Sequence, residues 1–357
     1  MAIDGKGKLK IVLISTGVYP LPPIGYSGLE QIVFDLAECL DLLGHEVYVV
    51  APSESRLTGN IKLIDCGLPA SPNAHDWEQK AYEKYMPVLL SPEFKDAIIH
   101  DHSWRKFIYL AKLGNPRLNV LSTLHGMLPY QNPPACQVNL VGLSKTHADQ
   151  ISGGLGIPMR YVYNGINLNR YKPLDTPDRS DRYLFLSRIT PFKGAHIFID
   201  LMRQRGLKGD LVGDDLNVES RDYVERCLLA CNDYPDVRYW GGVSRQRAIE
   251  MFQTAKAYIL PCMLPWSEPF GLTVIEAMAC GCVPIATRNG AITEIIEHGI
   301  SGYLADNSFD LTKQISDDNI KQIKPIALKA RAEVFSRENM ALNYLKLYNE
   351  ILETGGW

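Results

Sequence analysis

The sequence predicts an α/β protein made of two parallel-sheet domains of similar build. Short β-branched runs alternate with longer 3.6-period segments over nearly all of the 357 residues, the pattern of parallel strands joined by helical crossovers. At roughly 100–200 residues per domain the length favours two domains, and a hydrophobic content of 46% supplies a core for each. Tyr163-Asn-Gly-Ile-Asn-Leu-Asn-Arg-Tyr-Lys-Pro173, rich in Asn and Gly and closed by Pro, reads as linker chemistry. The expected domains are therefore residues 1–165 and 166–336, followed by a terminal helix in 337–357.

The elements follow in order. Lys8–Thr16 reads as a buried strand. Leu29, Ile32, Val33, Leu36, Ala37, Leu40 and Leu43 then recur on one helical face, Gly44 stops the helix, and His45–Ala51 forms the next strand. Further strands are expected at Ala97–His100, Asn119–Leu124 and Val138–Leu143, whereas Ser53–Ser91 reads as less regular. A second series starts at Tyr183–Leu186 and continues through Asp210–Val212, Val237–Tyr239, Ala257–Leu260 and Val283–Ala286, with helices at Ser244–Thr254 and Leu272–Cys280. The last helix, Arg337–Glu353, has apolar residues on more than one face, as expected of a helix with two neighbours.

Thirty-seven Lys+Arg against 40 Asp+Glu leave a net charge of −3, which gives no electrostatic reason to expect nucleic acid as a partner. No run of 18 apolar residues and no signal-peptide core is present, so a cytoplasmic location with at most peripheral membrane contact is expected. The eight cysteines are scattered without a Cys-x-x-Cys and suit reduced thiols. Cys280-x-Cys282 and Cys227-x3-Cys231 are weak metal ligands on spacing alone, because a free Cys commonly serves as a small buried hydrophobe.

Chemistry concentrates where strands end. Ser267-Glu-Pro-Phe-Gly-Leu-Thr-Val-Ile-Glu-Ala-Met-Ala-Cys-Gly281 runs from a strand into a helix whose N-terminus can receive an anion. Glu276 falls on the apolar stripe of that helix, and a carboxylate held inward there suits hydrogen bonds from hydroxyls. Arg188 and Lys193, in Leu186-Ser-Arg-Ile-Thr-Pro-Phe-Lys-Gly194, can converge on a diphosphate. Gly213 ends a strand and permits close approach of backbone or ligand. Pro20-Leu-Pro-Pro-Ile-Gly-Tyr-Ser-Gly28 sits between the first strand and its helix, yet is neither Gly-x-Gly-x-x-Gly nor a P-loop, which argues against hydride transfer and ordinary NTP hydrolysis. His125 closes a strand and can hydrogen-bond a substrate hydroxyl; His100 and His102 flank Asp101 after an earlier strand, in an extended segment unsuited to joint metal ligation. No Asp-x-Asp metal clamp occurs, and there is no Gly-x-Ser-x-Gly or His-Glu-x-x-His.

Together these segments resemble the retaining nucleotide-sugar glycosyltransferases of family 4, with the GT-B fold of two Rossmann-like domains facing a cleft. The resemblance runs from the Gly25–Gly28 loop to the final helix, and its most specific part is the Glu-x7-Glu segment Glu268–Glu276, supported by Ser187–Gly194, Asn164-Gly165-Ile166 and Leu124-His-Gly126. It implies that Arg188 and Lys193 hold the donor diphosphate and that Phe270, Gly271 and Leu272 bring backbone N–H groups to phosphate and sugar. Glu268 would contact sugar hydroxyls, Glu276 the ribose, and His125 the transferred sugar near the reacting carbon. Gly25, Ser27 and Gly28 would close over the diphosphate, Asn164 would belong to the donor site, and the base would lie near Val243. Where many relatives have adjacent glycines this chain has Gly25-Tyr-Ser-Gly28.

The resemblance implies a retaining, metal-independent transfer of a hexose from a nucleotide diphosphate sugar, a UDP-sugar by preference, to a hydroxyl on a small molecule, glycan or lipid, with no cofactor beyond the donor. Two alternatives share the fold: a nucleotide-sugar epimerase, which needs no acceptor, and a nucleotide-sugar-binding protein without turnover.

Overall fold

The computed structural model describes residues 7–25, 27–126, 139–175, 178–214 and 220–357. Tyr26, Cys136, Val138 and Asp215, which fall in segments singled out above, lie outside them. The chain divides into two units, one reaching Gly165 and including Arg337–Trp357, the other Ile166–Ser336.

The first unit begins with β1 (Lys10–Ile14), α1 (Leu29–Leu42), β2 (Glu46–Ala51), β3 (Lys62–Asp65) and α2 (Ala74–Leu89). It continues with β4 (Ile98–Asp101), α3 (Ile108–Gly114), β5 (Asn119–Thr123), β6 (Leu140–Gly142), α4 (Lys145–Leu155) and β7 (Met159–Tyr161). The described strands form one parallel sheet in the order β3-β2-β1-β4-β5-β6-β7. Residues 11–14 and 47–51 are buried throughout, as strands covered on both faces must be.

Ser53–Ser91 is more regular than its sequence suggests, because it contains β3 and α2. The helix starts at the Asn73 cap, whose side chain accepts from the Asp76 amide, and buries Trp77, Ala81, Tyr85 and Leu89 at four-residue spacing. Pro87 in the last turn and the many intervening polar residues hide that period.

The second unit contains β8 (Arg182–Leu186), α5 (Ala195–Arg205), β9 (Lys208–Val212), α6 (Arg221–Asp233), β10 (Val237–Tyr239), α7 (Arg245–Thr254) and β11 (Tyr258–Leu260). Then come α8 (Leu272–Ala279), β12 (Pro284–Thr287), α9 (Ile292–Ile295) and β13 (Tyr303–Ala305). Three further helices follow: α10 (Ser308–Gln314), α11 (Asp317–Gln322) and α12 (Pro325–Val334). Its sheet is parallel, in the order β10-β9-β8-β11-β12-β13. β7 and β13, of three residues each, are too short to have shown a period.

Helix α13 (Arg337–Thr354) belongs to the first unit, where it packs on α1 and β5. Arg337 opens it and reaches Glu38 at 2.5 Å and Asp35 at 3.6 Å, both on α1, while Tyr344 and Tyr348 are fully buried. The described cysteines are free and buried. Burial pushes the thiols of Cys231 and Cys282 up to about 12, so they remain protonated and unreactive. No helix among the described residues is long and apolar enough to cross a membrane.

Candidate active site

In the second sheet the strand order reverses between β8 and β11, and open α/β sheets bind ligands beyond the carboxyl ends at such a switch point. The loop after β8 carries Arg188 and Lys193; the segment after β11 carries Glu268 and leads into α8. Gly194 (φ +77°) lets the first loop lie on the second, since a Cβ there would meet the Pro261 carbonyl at 2.2 Å. Across this contact Lys193 Nζ donates to Glu268 Oε2, the two side chains only 12% and 8% exposed. Cys262 Sγ faces the same oxygen at 3.7 Å, and burial pushes this thiol up to about 12, so it donates a proton rather than adding charge.

The backbone of Glu268 is clamped as well. Its amide donates to Asn289 Oδ1 at 2.7 Å, Asn289 Nδ2 donates to the Trp266 carbonyl at 2.8 Å, and Gly290 leaves no room for a Cβ against the Glu268 carbonyl. Oε1 of Glu268 makes no hydrogen bond among the described residues. Arg188 differs in every respect: it is exposed, makes no ion pair among the described residues, and rests 5.8 Å from the ring of Phe192, which stacks on Trp266.

Gly271 starts α8 at φ +106°, a left-handed conformation in which a Cβ would meet Ile292 Cδ1 at 2.5 Å. The Gly271 and Leu272 amides are left without intrahelical acceptors, as at any helix start, while the Phe270 side chain is buried edge-on against Phe335. Glu276, 3% exposed, accepts a 2.6 Å hydrogen bond from the Tyr171 hydroxyl, which in turn accepts from Arg245 Nη1 at 2.8 Å; that nitrogen is 3.8 Å from the carboxylate. Burial and the neighbouring carboxylate hold the Tyr171 phenol well above its ordinary value. Val243 is half-buried, two residues before Arg245. Gly213 serves the backbone, because a Cβ would meet the Ser187 carbonyl at 2.2 Å.

The first sheet reverses between β1 and β4. After β1, Gly25 is exposed at φ +89° and Gly28 caps α1. The Ser27 and Thr16 hydroxyls both donate to the buried Glu30 carboxylate, which ties Ser27 to the first turn of α1. His100, within β4, and His102, just after it, set their rings at a 39° tilt with centroids 4.0 Å apart, and His102 Nδ1 lies 3.0 Å from Nε2 of His125, two residues past β5. His100 is held by Tyr348 and Thr123, and Thr123 by Tyr344. Burial lowers the pKa of all three imidazoles well below the ordinary value. Glu78 of α2 accepts the Trp104 and Arg105 amides at 2.8 Å each, and burial raises its carboxyl to about 7. Asn164 is buried, its Oδ1 unpartnered among the described residues. No group of three or more His, Cys, Asp and Glu side chains among the described residues is placed to hold a metal.

Residues 170–322 match the family model of group 1 glycosyl transferases and residues 26–170 that of glycosyltransferase family 4. Over 94% of its length the chain is 22% identical to the lipopolysaccharide 1,2-N-acetylglucosaminetransferase of Salmonella typhimurium, covering 97% of that protein. Among solved structures it is similar to a sucrose-phosphate synthase from Thermosynechococcus elongatus, with TM-score 0.78 and 20% identity over 96% of this chain and 99% of that one. It is also similar to the Anabaena protein HepE in complex with UDP-glucose, with TM-score 0.72 and 18% identity over 96% and 100% of the two chains. The chain is a glycosyltransferase of the GT-B type.

The sequence-predicted residues of this glycosyltransferase divide between its units: Gly25, Ser27, Gly28, His125 and Asn164 in the first, Arg188, Lys193, Gly213, Val243, Phe270, Gly271, Leu272 and Glu276 with Glu268 in the second. Sequence reasoning missed Tyr171 and Arg245 beside Glu276, Asn289 and Gly290 behind Glu268, and the histidine contact itself. Two signals were available. Arg245 puts a cation in the first turn of a helix, against the helix dipole, and Asn289-Gly290 follows a strand at its carboxyl end.

The imidazoles of buried His100 and His102 and half-buried His125 make the transferase sensitive to acid. Their folded pKa values lie below the unfolded 6.5, so stability present above that pH is lost as pH falls toward the folded values. Glu78, raised from 4.5 to about 7, works the other way between those values and cancels one of the three protons. The histidines outnumber it, so the net effect is a loss of stability as pH falls below 6.5. Calorimetric unfolding between pH 7 and 5 measures it; a flat profile would show that the folded rings take up protons.

Proposed function

We propose that this enzyme moves a hexose from a nucleotide diphosphate sugar, a UDP-sugar by preference, to a hydroxyl acceptor with retention of anomeric configuration and without a resident metal. The observation that carries the reading is the Lys193–Glu268 pair at the β8/β11 switch point, beside the start of α8. A diphosphate there meets Arg188, Lys193 and the Gly271 and Leu272 amides, groups that neutralise charge as the phosphate leaves. Glu268 keeps Lys193 oriented through Oε2, and its Oε1 is left to receive a sugar hydroxyl. Glu276 takes the ribose, with the base toward Val243. The solved structure of HepE with UDP-glucose supports this choice of donor.

In the reaction the bond from the anomeric carbon to the phosphate oxygen breaks, and the bond to the acceptor oxygen forms on the same face. The acceptor proton passes to the departing phosphate, so no side chain need act as nucleophile, and Glu268 and Glu276 are not a hydrolytic acid–base pair. The test is product analysis with UDP-, GDP- and ADP-hexoses and a panel of hydroxyl acceptors, in EDTA and in magnesium, reading the new linkage by NMR. A retained linkage formed in EDTA is expected. A changed sugar nucleotide without acceptor would make the enzyme an epimerase, and saturable binding without any product would make it a binding protein.

A further inference from the structure

The contact between His102 and His125 fixes more than position. Two neutral imidazoles that meet nitrogen to nitrogen at 3.0 Å share one proton: one ring donates and the other accepts. His102 is fully buried, and its other nitrogen, Nε2, has no partner among the described residues. If His102 carried its proton on Nε2, that N–H would be orphaned in the interior, a rare and costly arrangement. With the proton on Nδ1, His102 donates to His125 and only a lone pair is left unused. His125 Nε2 is then the acceptor, and the single proton of that ring sits on Nδ1.

Rotation of His102 is hindered by the ring of His100, whose centroid lies 4.0 Å away and which is itself fixed by Tyr348 at 2.7 Å and Thr123 at 2.8 Å. Helix α13 thereby sets the hydrogen-bonding state of a residue at the end of β5. We infer that His102 is a positioning residue that holds half-buried His125 as its Nδ1–H tautomer, so that His125 serves the bound sugar as a hydrogen-bond donor and not as a proton acceptor. The sugar as recipient rests on the proposed function; the tautomer does not.

The two parts are tested separately. Long-range 1H–15N spectra of the 15N-labelled full chain at pH 7.5, with His125 signals assigned from their loss in His125→Gln, show which ring nitrogen carries the proton. Wild type is expected to show Nδ1–H. His102→Phe should move His125 toward the Nε2–H form, and His102→Asn, which keeps a donor near the Nδ1 position, should restore it. An Nε2–H signal in wild type, which needs no variant to fold, overturns the assignment, as does a folded Phe variant with an unchanged tautomer. With a sugar nucleotide that wild type turns over, His102→Phe should lower kcat about tenfold, roughly the worth of one hydrogen bond, with KM within about twofold of wild type. A switched tautomer with unchanged kcat overturns the role toward the sugar. A wild type that turns over no sugar nucleotide overturns the transfer reading and leaves the tautomer standing.

Discussion

Arg188→Ala is expected to transfer sugar about 10²–10³-fold more slowly than wild type, the usual cost of removing one group that stabilises developing charge, while unfolding at the same temperature. Arg188 is exposed and makes no ion pair among the described residues, so its loss leaves no buried group uncompensated. Lys193→Ala should slow transfer by a similar factor, but here the fold suffers too. The Glu268 carboxylate would stay buried without its cation, which costs about 3–5 kcal/mol. Combining Lys193→Met with Glu268→Gln removes both charges and should recover most of the stability without recovering the rate. Rate and calorimetric stability of the four proteins decide the matter. A fully active Arg188→Ala would remove Arg188 from the diphosphate site, and a stable Lys193→Ala would show that Glu268 does not depend on its partner.

Lys193 and Glu268 also mark how far sequence could go. Each was legible as a polar residue in the segment after a strand, because β8 beyond Arg182 and all of β11 are apolar runs whose ends are sharp. Their contact was not, since it depends on β8 and β11 being neighbours although β9 and β10 intervene in the chain. The same holds for Tyr171 and Glu276, 105 residues apart, and for His102 and His125, whose approach requires β4 and β5 to pair in register. Helix α1 could be read directly because its apolar residues recur on one face even though Glu30 and Asp35 are buried beside them, whereas α2 has many polar residues between its apolar ones and carries Pro87 in its last turn. Local patterns were therefore sufficient for most strands and their ends, though not for β3, β7 or β13. The partners that orient each functional group come from tertiary adjacency.

Glu276→Ala should lose about 10²-fold in nucleotide affinity, on the reasoning that a carboxylate accepting two ribose hydroxyls contributes at least ~1.5 kcal/mol through each. In a thermal unfolding panel of UDP, GDP, ADP and their sugar conjugates, the preferred nucleotide at about a hundred times its wild-type dissociation constant adds roughly 2.7 kcal/mol to wild type. The same concentration merely equals the weakened constant of the variant and adds only about 0.4 kcal/mol. Tyr171→Phe separates ligand contact from packing. It removes the 2.6 Å hydrogen bond to Oε1 while leaving the carboxylate and Arg245 in place. If Glu276 contacts the ribose directly, the Phe variant keeps its nucleotide-induced stabilisation within a few tenths of a kcal/mol of wild type, however much its ligand-free stability falls. If Tyr171→Phe abolishes the shift as fully as Glu276→Ala, the carboxylate acts by bracing Tyr171 and Arg245, and the ribose contact must be sought elsewhere along the carboxyl ends of the second sheet.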